Sequence, residues 1–307
     1  MNKKIGITVG NPNGIGPEIV YRSLKKISKE LLPSFKVFLN KEIYNIFFKE
    51  LLEPEFEFVE ISNIHYKYEP GVKSEVSGLL SYLFLKKAAD SIKSGEISGL
   101  VTAPLSKELI VKAGIKFIDH TTFLAEYFKY PTYMLFYAEK FKVILATIHI
   151  PLKDVSRKLT PSLLEDTIRV GLDFCTKVMK KNVRVGVCGI NPHAGEGGIL
   201  GKEEKRFYPV IKKFVDSGYS VEGPLPADTI FYRAYRGDFD LIVASYHDQG
   251  LAPFKMLYFD EGVNVTLGLP FIRTSPDHGC AFDIAGKNIA SEKSMDEAIE
   301  LSLKFMI

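Results

Sequence analysis

The sequence predicts an α/β fold in which helices cover a largely parallel sheet. Short apolar runs of the kind that form buried strands recur along the chain, and amphipathic helical patterns separate many of them. The chain has 307 residues, which is more than one hydrophobic core usually serves, so two domains or one large α/β unit are expected. The predicted strands are the runs IGITV, FKVFL, ISGLVTA, VRVGVCGI and DLIVAS.

Helix starts can be identified between the strands. Pro17, Ser74 and Thr160 each stand where a first turn or an N-cap is expected, just before a helical pattern of apolar residues. The helix that begins after Thr160 is predicted to run towards Met179, and a further helix is predicted over 203–215. This alternation of strands and helices is typical of parallel sheets.

The stretch from Pro131 to Pro151 differs from the rest of the chain. It contains two β-rich runs around a short polar break at Glu139 and Lys140. A β-hairpin or an extended arm fits this pattern. We interpret it as the start of a second domain or as a dimerisation element.

Charge and cysteine content exclude several classes of protein. The formal net charge is +3 and the basic residues are scattered, whereas nucleic-acid-binding proteins usually concentrate Lys and Arg in a stripe. The three cysteines form no CxxC motif and no even set, so free thiols in a reducing cytoplasm are expected. No signal-peptide pattern and no apolar stretch of membrane-spanning length is visible. We therefore expect a cytoplasmic protein with neither a nucleic-acid nor a membrane partner.

A glycine-rich segment, GNPNGIGPE at 10–18, follows the first predicted strand and opens a helix. Such loops suit anions because free backbone N–H groups and the helix dipole point at the ligand. The segment does not read as GxGxxG, and the next strand, which ends at Asn40, supplies no acid for a ribose. A tight structural turn and a ligand loop both stay open for this segment.

Three of the six histidines, His149, His193 and His247, come just after apolar strand-like runs. In α/β sheets, ligands gather beyond the carboxyl ends of the strands. Three imidazoles that arrive there from separate strands can bind one divalent cation such as zinc and leave a catalytic position open. The alternative for each one is an ordinary hydrogen-bonded histidine of a loop or core.

The neighbours of two of these histidines are also unusual. The segment 191–198, NPHAGEGG, contains too many glycines for a helix or a central strand, so it needs backbone freedom or lets the backbone approach a ligand closely. The segment 245–250, SYHDQG, sets polar groups against a buried strand, where either a site or the solvent must supply their partners.

A second set of residues has the chemistry of a phosphate site. His120 and Thr121 stand at the predicted N-terminus of a helix, where a phosphate is favoured. Lys255, Asn264 and Arg273 add a lysine, an amide and an arginine, which are common phosphate contacts. Taken singly, Thr121 as a helix cap and the two basic residues as solvated charges are the simpler interpretations.

Eight segments of the chain, taken in order, resemble the PdxA family, the 4-hydroxythreonine-4-phosphate dehydrogenases of vitamin B6 synthesis. The resemblance covers nearly the full length, and eight ordered segments are far more specific than any one of them. The segments are GNPNGIGPE, VTAPLSK, HTTFLAE, HIPL, NPHAGEGG, GPLPADT, YHDQGLAPFK and NVTLGLPFIRTSPDHG.

The resemblance implies a two-domain α/β/α fold like that of isocitrate and isopropylmalate dehydrogenases. The first α/β domain is placed at 1–130 plus 270–307. The second, with the dimerisation and metal-binding elements, is placed at 131–269. The family also implies a homodimer whose active site lies in the interdomain cleft at the subunit interface.

The same resemblance implies the site residues and cofactors. His149, His193 and His247 resemble the ligands of one divalent metal per site (zinc, magnesium or cobalt), and they are shared between subunits. The cofactor is NAD or NADP, for which the sequence indicates no binding residue. The residues that resemble the family's substrate contacts are His120, Thr121, Lys255, Asn264 and Arg273.

The implied reaction oxidises the secondary alcohol of 4-hydroxythreonine 4-phosphate, a phosphorylated small molecule, and passes the hydride to the cofactor. The product is a β-keto acid, and its loss of carbon dioxide yields 3-amino-2-oxopropyl phosphate on the route to pyridoxal 5'-phosphate. Asp228 and Asp248 are the candidate catalytic bases, and Lys255 can also serve if it is desolvated.

Three other functions stay open. The closest is a related dehydrogenase of the same family that acts on a sugar-acid phosphate or a dihydrodiol carboxylate. A phosphate acyltransferase on a related fold would need no three-histidine metal site, and a non-catalytic binding protein is the third. Two departures bear on substrate preference, because the family usually has aspartate at Asn11 and glycine at Asp119.

Overall fold

The computed structural model describes residues 4–49, 57–61 and 64–306. The strands in chain order are β1 (Ile5–Thr8), β2 (Phe35–Leu39), β3 (Glu57–Glu60), β4 (Gly99–Thr102), β5 (Tyr133–Tyr137), β6 (Lys142–Leu145), β7 (Arg184–Cys188), β8 (Ser220–Leu225), β9 (Leu241–Ala244), β10 (Val263–Leu267) and β11 (Ile272–Pro276).

The helices alternate with these strands through most of the chain. In the part of the chain that the structure describes, none of them is both long enough and apolar enough to cross a bilayer. They are α1 (Gly16–Lys26), α2 (Lys41–Ile43), α3 (Glu75–Lys93), α4 (Lys107–Lys112), α5 (His120–Phe128), α6 (Leu152–Lys158), α7 (Pro161–Met179), α8 (Tyr208–Asp216), α9 (Ala227–Tyr235), α10 (His247–Tyr258) and α11 (Lys293–Met306).

The chain divides into two compact units. Unit 1 comprises Met1–Thr132 and Leu269–Ile307, and unit 2 comprises Tyr133–Gly268. These divisions fall within two residues of the boundaries that the sequence analysis gives.

Unit 1 contains a parallel sheet in the order β3-β2-β1-β4-β11. Its central strands are buried because their apolar side chains pair across the sheet: Ile7 stands between Val37 and Val101, and all three are fully buried. The predicted start of α3 is confirmed, since Ser74 Oγ accepts a hydrogen bond of 3.2 Å from the backbone N–H of Ser77. Strand β3, for which the sequence analysis gave no prediction, extends the sheet at one edge.

Unit 2 contains a mixed sheet in the order β10-β5-β6-β9-β7-β8. Strands β5 and β6 form an antiparallel hairpin in which Met134 pairs with Leu145, so the hairpin predicted within 131–151 is confirmed. β6, β9, β7 and β8 are parallel, and β10 pairs antiparallel with β5. Fully buried Phe141, Ile242 and Phe254 belong to the hydrophobic core on this sheet.

The single helix predicted over 203–215 is wrong. The structure has a 3-10 turn at Glu203–Arg206, then the buried residue Phe207, and only then α8. Pro209 stands in the first turn of α8, where its missing N–H does no harm. The same residue in the interior of a longer helix would remove a hydrogen bond and clash with the preceding turn.

Candidate functional site

The glycine-rich segment after β1 has its polar side chains already paired. Asn11 Oδ1 accepts from the backbone N–H of Asn13 at 3.0 Å, and Asn11 Nδ2 donates to Ser77 Oγ at 3.3 Å. Asn13 Nδ2 donates to the carbonyl of Val72 at 2.8 Å, while its Oδ1 accepts from the Tyr66 hydroxyl at 2.5 Å. Because both amides are buried and occupied, the geometry favours the structural-turn interpretation.

The N-terminus of α5 is capped by Asp119. Its Oδ1 accepts a hydrogen bond of 2.7 Å from the backbone N–H of Thr122, which replaces the missing partner of a first-turn donor. The carboxylate also places a negative charge at the positive end of the helix. Asp119, and not Thr121, is therefore the helix cap, which gives this departure from the family pattern a structural role.

Arg273 on β11 is buried beside β4. Its Nε and Nη2 atoms lie 3.1 and 2.6 Å from the Oγ1 atom of Thr102, which is fully buried at the end of β4. Burial lowers the pKa of Arg273 to about 10, and the nearby Asp119 carboxylate acts in the opposite direction. A cation that has lost most of its hydration is strongly stabilised by an anion brought next to it.

His120, the first residue of α5, lies near this guanidinium. Its Nε2 atom is buried and has no hydrogen-bond partner among the described residues. Burial, and then the positive charge of Arg273, lower the pKa of His120 well below its usual value, so the imidazole is neutral. A neutral imidazole beside a buried guanidinium can donate a hydrogen bond from its ring N–H to a phosphate oxygen. The side chains of His120 and Arg273 in unit 1 therefore fit an anion, and Thr121 is buried next to His120 in the chain.

The other two predicted substrate contacts lie in unit 2. Lys255 is partly buried on α10, and Asn264 is partly buried on β10. Asn264 Oδ1 is buried and makes no hydrogen bond within the described part of the chain. A buried amide oxygen without a donor is unfavourable unless a ligand or water supplies one.

Two of the three predicted metal ligands lie side by side. The register of the parallel strands aligns Leu145 of β6 with Ala244 of β9, so the carboxyl ends of these strands reach the same edge of the sheet. His149 and His247 follow those ends, and the centroids of their rings are 5.7 Å apart. Zn–N bonds are about 2 Å long, so this spacing is compatible with two ring nitrogens on one cation.

The neighbour of His247 sets which ring nitrogen faces outward. His247 Nδ1 lies 2.7 Å from Asp248 Oδ1, and the carboxylate itself is largely exposed. A metal-binding histidine usually donates its second N–H to a carboxylate or carbonyl in this way. Nε2 of His247 is the nitrogen left for a ligand, and Asp248 is placed to orient the ring.

His193 lies apart from this pair. It follows β7, which is parallel to β9, and it lines a cavity of about 300 Å³ together with Asp228, Tyr246 and Gln249. Among residues 4–49, 57–61 and 64–306, no three His, Cys, Asp or Glu side chains converge as a cation site would require. One copy of the chain thus brings together two of the three predicted ligands.

The backbone around His193 is left-handed. The φ angles are 51° at His193, 51° at Ala194 and 43° at Glu196, and Gly195 and Gly197 are also positive. The left-handed region costs an L-residue other than glycine roughly 1–2 kcal/mol. Because three such residues occur in this turn, contacts from elsewhere must hold it.

The ends of β6, β7 and β9 are joined by buried side chains. Gln249 Nε2 donates to the carbonyl of Gly189 at 2.7 Å, and its Oε1 accepts from the backbone N–H of Ser245 at 2.7 Å. Ser245 Oγ donates to the carbonyl of Cys188 at 3.1 Å, and Thr147 Oγ1 donates to the carbonyl of Ser245 at 2.7 Å. These bonds fix the starting points of the segments that carry the three histidines.

Sequence reasoning missed most of these supporting residues. Gln249 was visible as part of a polar segment, but Thr102 and Thr147 carry no signal because their partners are distant in the chain. Thr102 and Arg273, for example, are 171 residues apart.

The chain is similar to known proteins over nearly its full length. The sequence model of the family described as "Pyridoxal phosphate biosynthetic protein PdxA" matches residues 20–302. The "D-threonate 4-phosphate dehydrogenase" of Cupriavidus necator is 41% identical, over 96% of this chain and 95% of its own. The "4-hydroxythreonine-4-phosphate dehydrogenase" of Aquifex aeolicus is also 41% identical, over 98% of each chain.

Solved structures agree with the fold. A 4-hydroxythreonine-4-phosphate dehydrogenase from Burkholderia phymatum superposes with a TM-score of 0.79 at 38% identity, over 100% of this chain and 98% of that one. Isocitrate dehydrogenase from Methylococcus capsulatus gives a TM-score of 0.55 at 15% identity, over 98% and 85% of the two chains. The second likeness concerns the fold alone, and the predicted fold class is confirmed.

Proposed function

The chain belongs to the PdxA family and is an oxidoreductase, and on that premise we propose that it oxidises the secondary alcohol of 4-hydroxythreonine 4-phosphate. Hydride passes to NAD or NADP, the alcohol proton is released, and the β-keto acid product loses carbon dioxide to give 3-amino-2-oxopropyl phosphate. The observation that carries this proposal is the pair formed by buried Arg273 and the buried Nε2 atom of His120 at the start of α5.

This pair matches the phosphate end of the substrate. A guanidinium fork binds phosphate oxygens in a defined orientation, and His120 Nε2 is buried without a partner among the described residues. The backbone N–H groups at the start of α5 add the positive end of the helix dipole. We propose that Thr121, Lys255 and Asn264 complete the substrate contacts. Their role is positioning, because a fixed phosphate orients the carbinol carbon for hydride transfer.

The imidazoles fit a divalent cation, for which we propose zinc, magnesium or cobalt. His149 and His247 supply two adjacent nitrogen ligands from one copy, and His193 of a second copy supplies the third. When bound, the cation supplies Lewis-acid stabilisation of the developing alkoxide. The Asp248 carboxylate holds the His247 ring in the orientation that leaves Nε2 available.

Asp228 is our preferred acceptor for the alcohol proton. It shares the cavity of His193, whereas Asp248 is already bonded to His247. Lys255 is the alternative base. Replacement of Asp228 with Asn is expected to lower kcat by about 100-fold or more while leaving cation affinity unchanged. An unaltered kcat in that variant would move the role to Lys255.

The proposed homodimer is supported by an exposed apolar face on α9 and α10. Tyr232 is 66% exposed and Met256 is 79% exposed, and both line a groove that shares Asp228, Tyr246 and Gln249 with the His193 cavity. Apolar side chains exposed together usually mark an interface. A second copy seated there would cover this face next to His193. Sedimentation velocity of the wild type and of Met256→Glu tests this, and a monomeric wild type would contradict it.

A second substrate is favoured by one specific observation. The Cupriavidus necator relative, named for D-threonate 4-phosphate, is as similar to this chain as the Aquifex aeolicus relative is. Both molecules carry a terminal phosphate and a secondary alcohol, and they differ at the second carbon, which carries an amine in one and a hydroxyl in the other. Arg273 and His120, the proposed phosphate contacts, do not discriminate between the two substrates, because both substrates carry this phosphate.

One experiment decides between these substrates. The purified protein is given each phosphorylated substrate with NAD or NADP and with zinc, magnesium or cobalt, and the absorbance of the reduced nicotinamide is followed. We expect turnover of 4-hydroxythreonine 4-phosphate and little turnover of the same substrate without its phosphate. Preference for D-threonate 4-phosphate would reassign the substrate within the family. Absence of turnover under all conditions would refute the proposed activity.

A further inference from the structure

A buried carboxylate lies beneath the left-handed turn that carries His193. Glu204 is in the 3-10 turn at 203–206, and its side chain is almost fully buried. Its Oε1 accepts from the backbone N–H of Ile190 at 2.9 Å and from that of Asn191 at 2.7 Å. The side-chain amide of Asn191 donates to Oε2 at 3.1 Å. One carboxylate thus binds three N–H groups where the chain enters the turn.

The same carboxylate also contacts the far side of the turn. Gly195 leaves space for it, because a Cβ at this position would come within 2.6 Å of Glu204 Oε2. Gly189 is in similarly close contact with Ala194, since a Cβ there would lie 2.7 Å from the Cα of Ala194. Glu204 therefore touches the backbone both before and after His193, which leaves this residue little freedom to move independently.

The turn at 203–206 reaches the segment after His149 as well. Arg206 donates a short hydrogen bond to the carbonyl of Ser156 on α6, and the hydroxyl of Ser156 lies 3.5 Å from Glu203 Oε1. The α6 helix begins three residues after His149. The turn at 203–206 thus connects the segments that carry two of the predicted metal ligands, His149 and His193.

From these contacts we infer that Glu204 is a positioning residue: its carboxylate fixes the left-handed turn so that the His193 imidazole is held ready for the cation. The inference rests on the proposed metal role of His193. Charge-assisted hydrogen bonds from a carboxylate to backbone N–H groups are stronger than neutral ones. They can hold a backbone conformation that L-residues disfavour. Without the charge, the turn samples other conformations, and His193 binds the cation less tightly.

The neighbouring Glu203 provides a matched control. It is one residue away and binds Asn191 Nδ2 at 2.8 Å, but no backbone N–H of the His193 turn contacts it in the described residues. Glu204→Gln keeps the size of the side chain, removes the charge and turns one acceptor into a donor. Glu203→Gln makes the same chemical change without touching the backbone of the turn.

The test measures cobalt binding to the metal-free protein by visible absorption, with thermal unfolding of each variant as a check of folding. We expect Glu204→Gln to bind Co²⁺ about 10-fold more weakly and with an altered spectrum, as is usual when support around a metal ligand is lost. Glu203→Gln should stay within about 2-fold of the wild type. The spectrum reports ligand geometry, which a loss of overall stability alone would not change.

Two further variants make each outcome decisive. His193→Ala must weaken Co²⁺ binding; if it does not, the metal role of His193 fails and this inference fails with it. A different outcome is that His193→Ala binds Co²⁺ more weakly, while Glu204→Gln folds and matches the wild type in Co²⁺ affinity and spectrum. In that case only the role of Glu204 is refuted. Should Glu204→Gln not fold, Glu204→Asp replaces it, because the shorter side chain withdraws the carboxylate from the backbone N–H groups of Ile190 and Asn191. Wild-type cobalt binding by Glu204→Asp would then overturn the inference.

Discussion

The two groups of predicted site residues differ in how far the fold completes them. In unit 1, Arg273 and the Nε2 atom of His120 are buried, and the guanidinium is already bonded to buried Thr102. In unit 2, His149 and His193 are exposed at loops beyond the sheet. The first group is organised before a ligand arrives, so it loses little conformational freedom on binding. In the proposed metal site, the second group would be completed by a cation and a second copy, so we expect its residues to matter for activity and to contribute little to folding.

His193→Ala should show this difference most strongly. Loss of a residue that supports a metal ligand typically lowers activity by up to about 100-fold. Loss of the proposed ligand itself is expected to lower turnover by more than this. The free energy of unfolding should change by less than about 0.5 kcal/mol, because the ring is exposed. Steady-state kinetics and chemical denaturation check both values. A large loss of stability with normal turnover would reverse the comparison.

Arg273→Lys should affect substrate binding. The variant keeps a positive charge but loses the planar fork, so one charge-assisted hydrogen bond is lost, worth about 2 kcal/mol. KM for the phosphorylated substrate should rise by about 30-fold, with a smaller change in kcat. The exposed Lys205→Arg serves as a matched control with no expected effect. An unchanged KM in Arg273→Lys would remove this residue from the phosphate site.

The burial of His120 gives a pH dependence of stability. Its pKa is lowered in the folded state, so the ring stays neutral there, while the unfolded chain takes up a proton below about pH 6.5. This contribution is present above about pH 6.5 and is lost progressively as the pH falls from there towards the lowered pKa of the folded state. Denaturation curves of the wild type and His120→Gln should therefore converge at low pH. Parallel curves would show that the ring is not enclosed.

Asp119→Ala should have the smallest effect of the four. Loss of the cap of α5 is expected to reduce the free energy of unfolding by about 1 kcal/mol, whereas Asp119→Asn keeps a capping oxygen and should lose only a few tenths. Removal of the charge near Arg273 should also strengthen phosphate binding in Asp119→Asn. Calorimetric titration with inorganic phosphate measures this, and weaker binding in that variant would contradict the electrostatic explanation.

Several features were predictable because they depend on local pattern. The strand-like runs and the hairpin at 131–151 are confirmed, since apolar periodicity and strand length are local properties. The family is confirmed as well, because eight ordered motifs carry far more information than one. The positions of the histidines after β6, β7 and β9 follow from the rule that parallel strands end at one edge of a sheet.

Other features depend on contacts between distant residues. Two segments of the chain contain Asn-Pro and are rich in glycine. The buried amides of the segment at 10–18 are already hydrogen-bonded, whereas the segment at 191–198 is left-handed and exposes His193. Their composition does not distinguish them, because the deciding partners, Tyr66 and Glu204, lie in other parts of the chain. The start of the helix predicted over 203–215 was a different case, since Pro209 was a local signal that the prediction did not use.

The left-handed turn at Pro192–Gly198 has a consequence for protein chemistry. Left-handed helical turns are the form that chains of D-amino acids favour. The backbone of this turn therefore has the mirror image of the right-handed helical conformation that L-residues favour. In a protein assembled by chemical ligation, D-alanine in place of Ala194 should fit the turn with less backbone strain than the natural residue. An achiral residue at Glu196 should be accepted for the same reason.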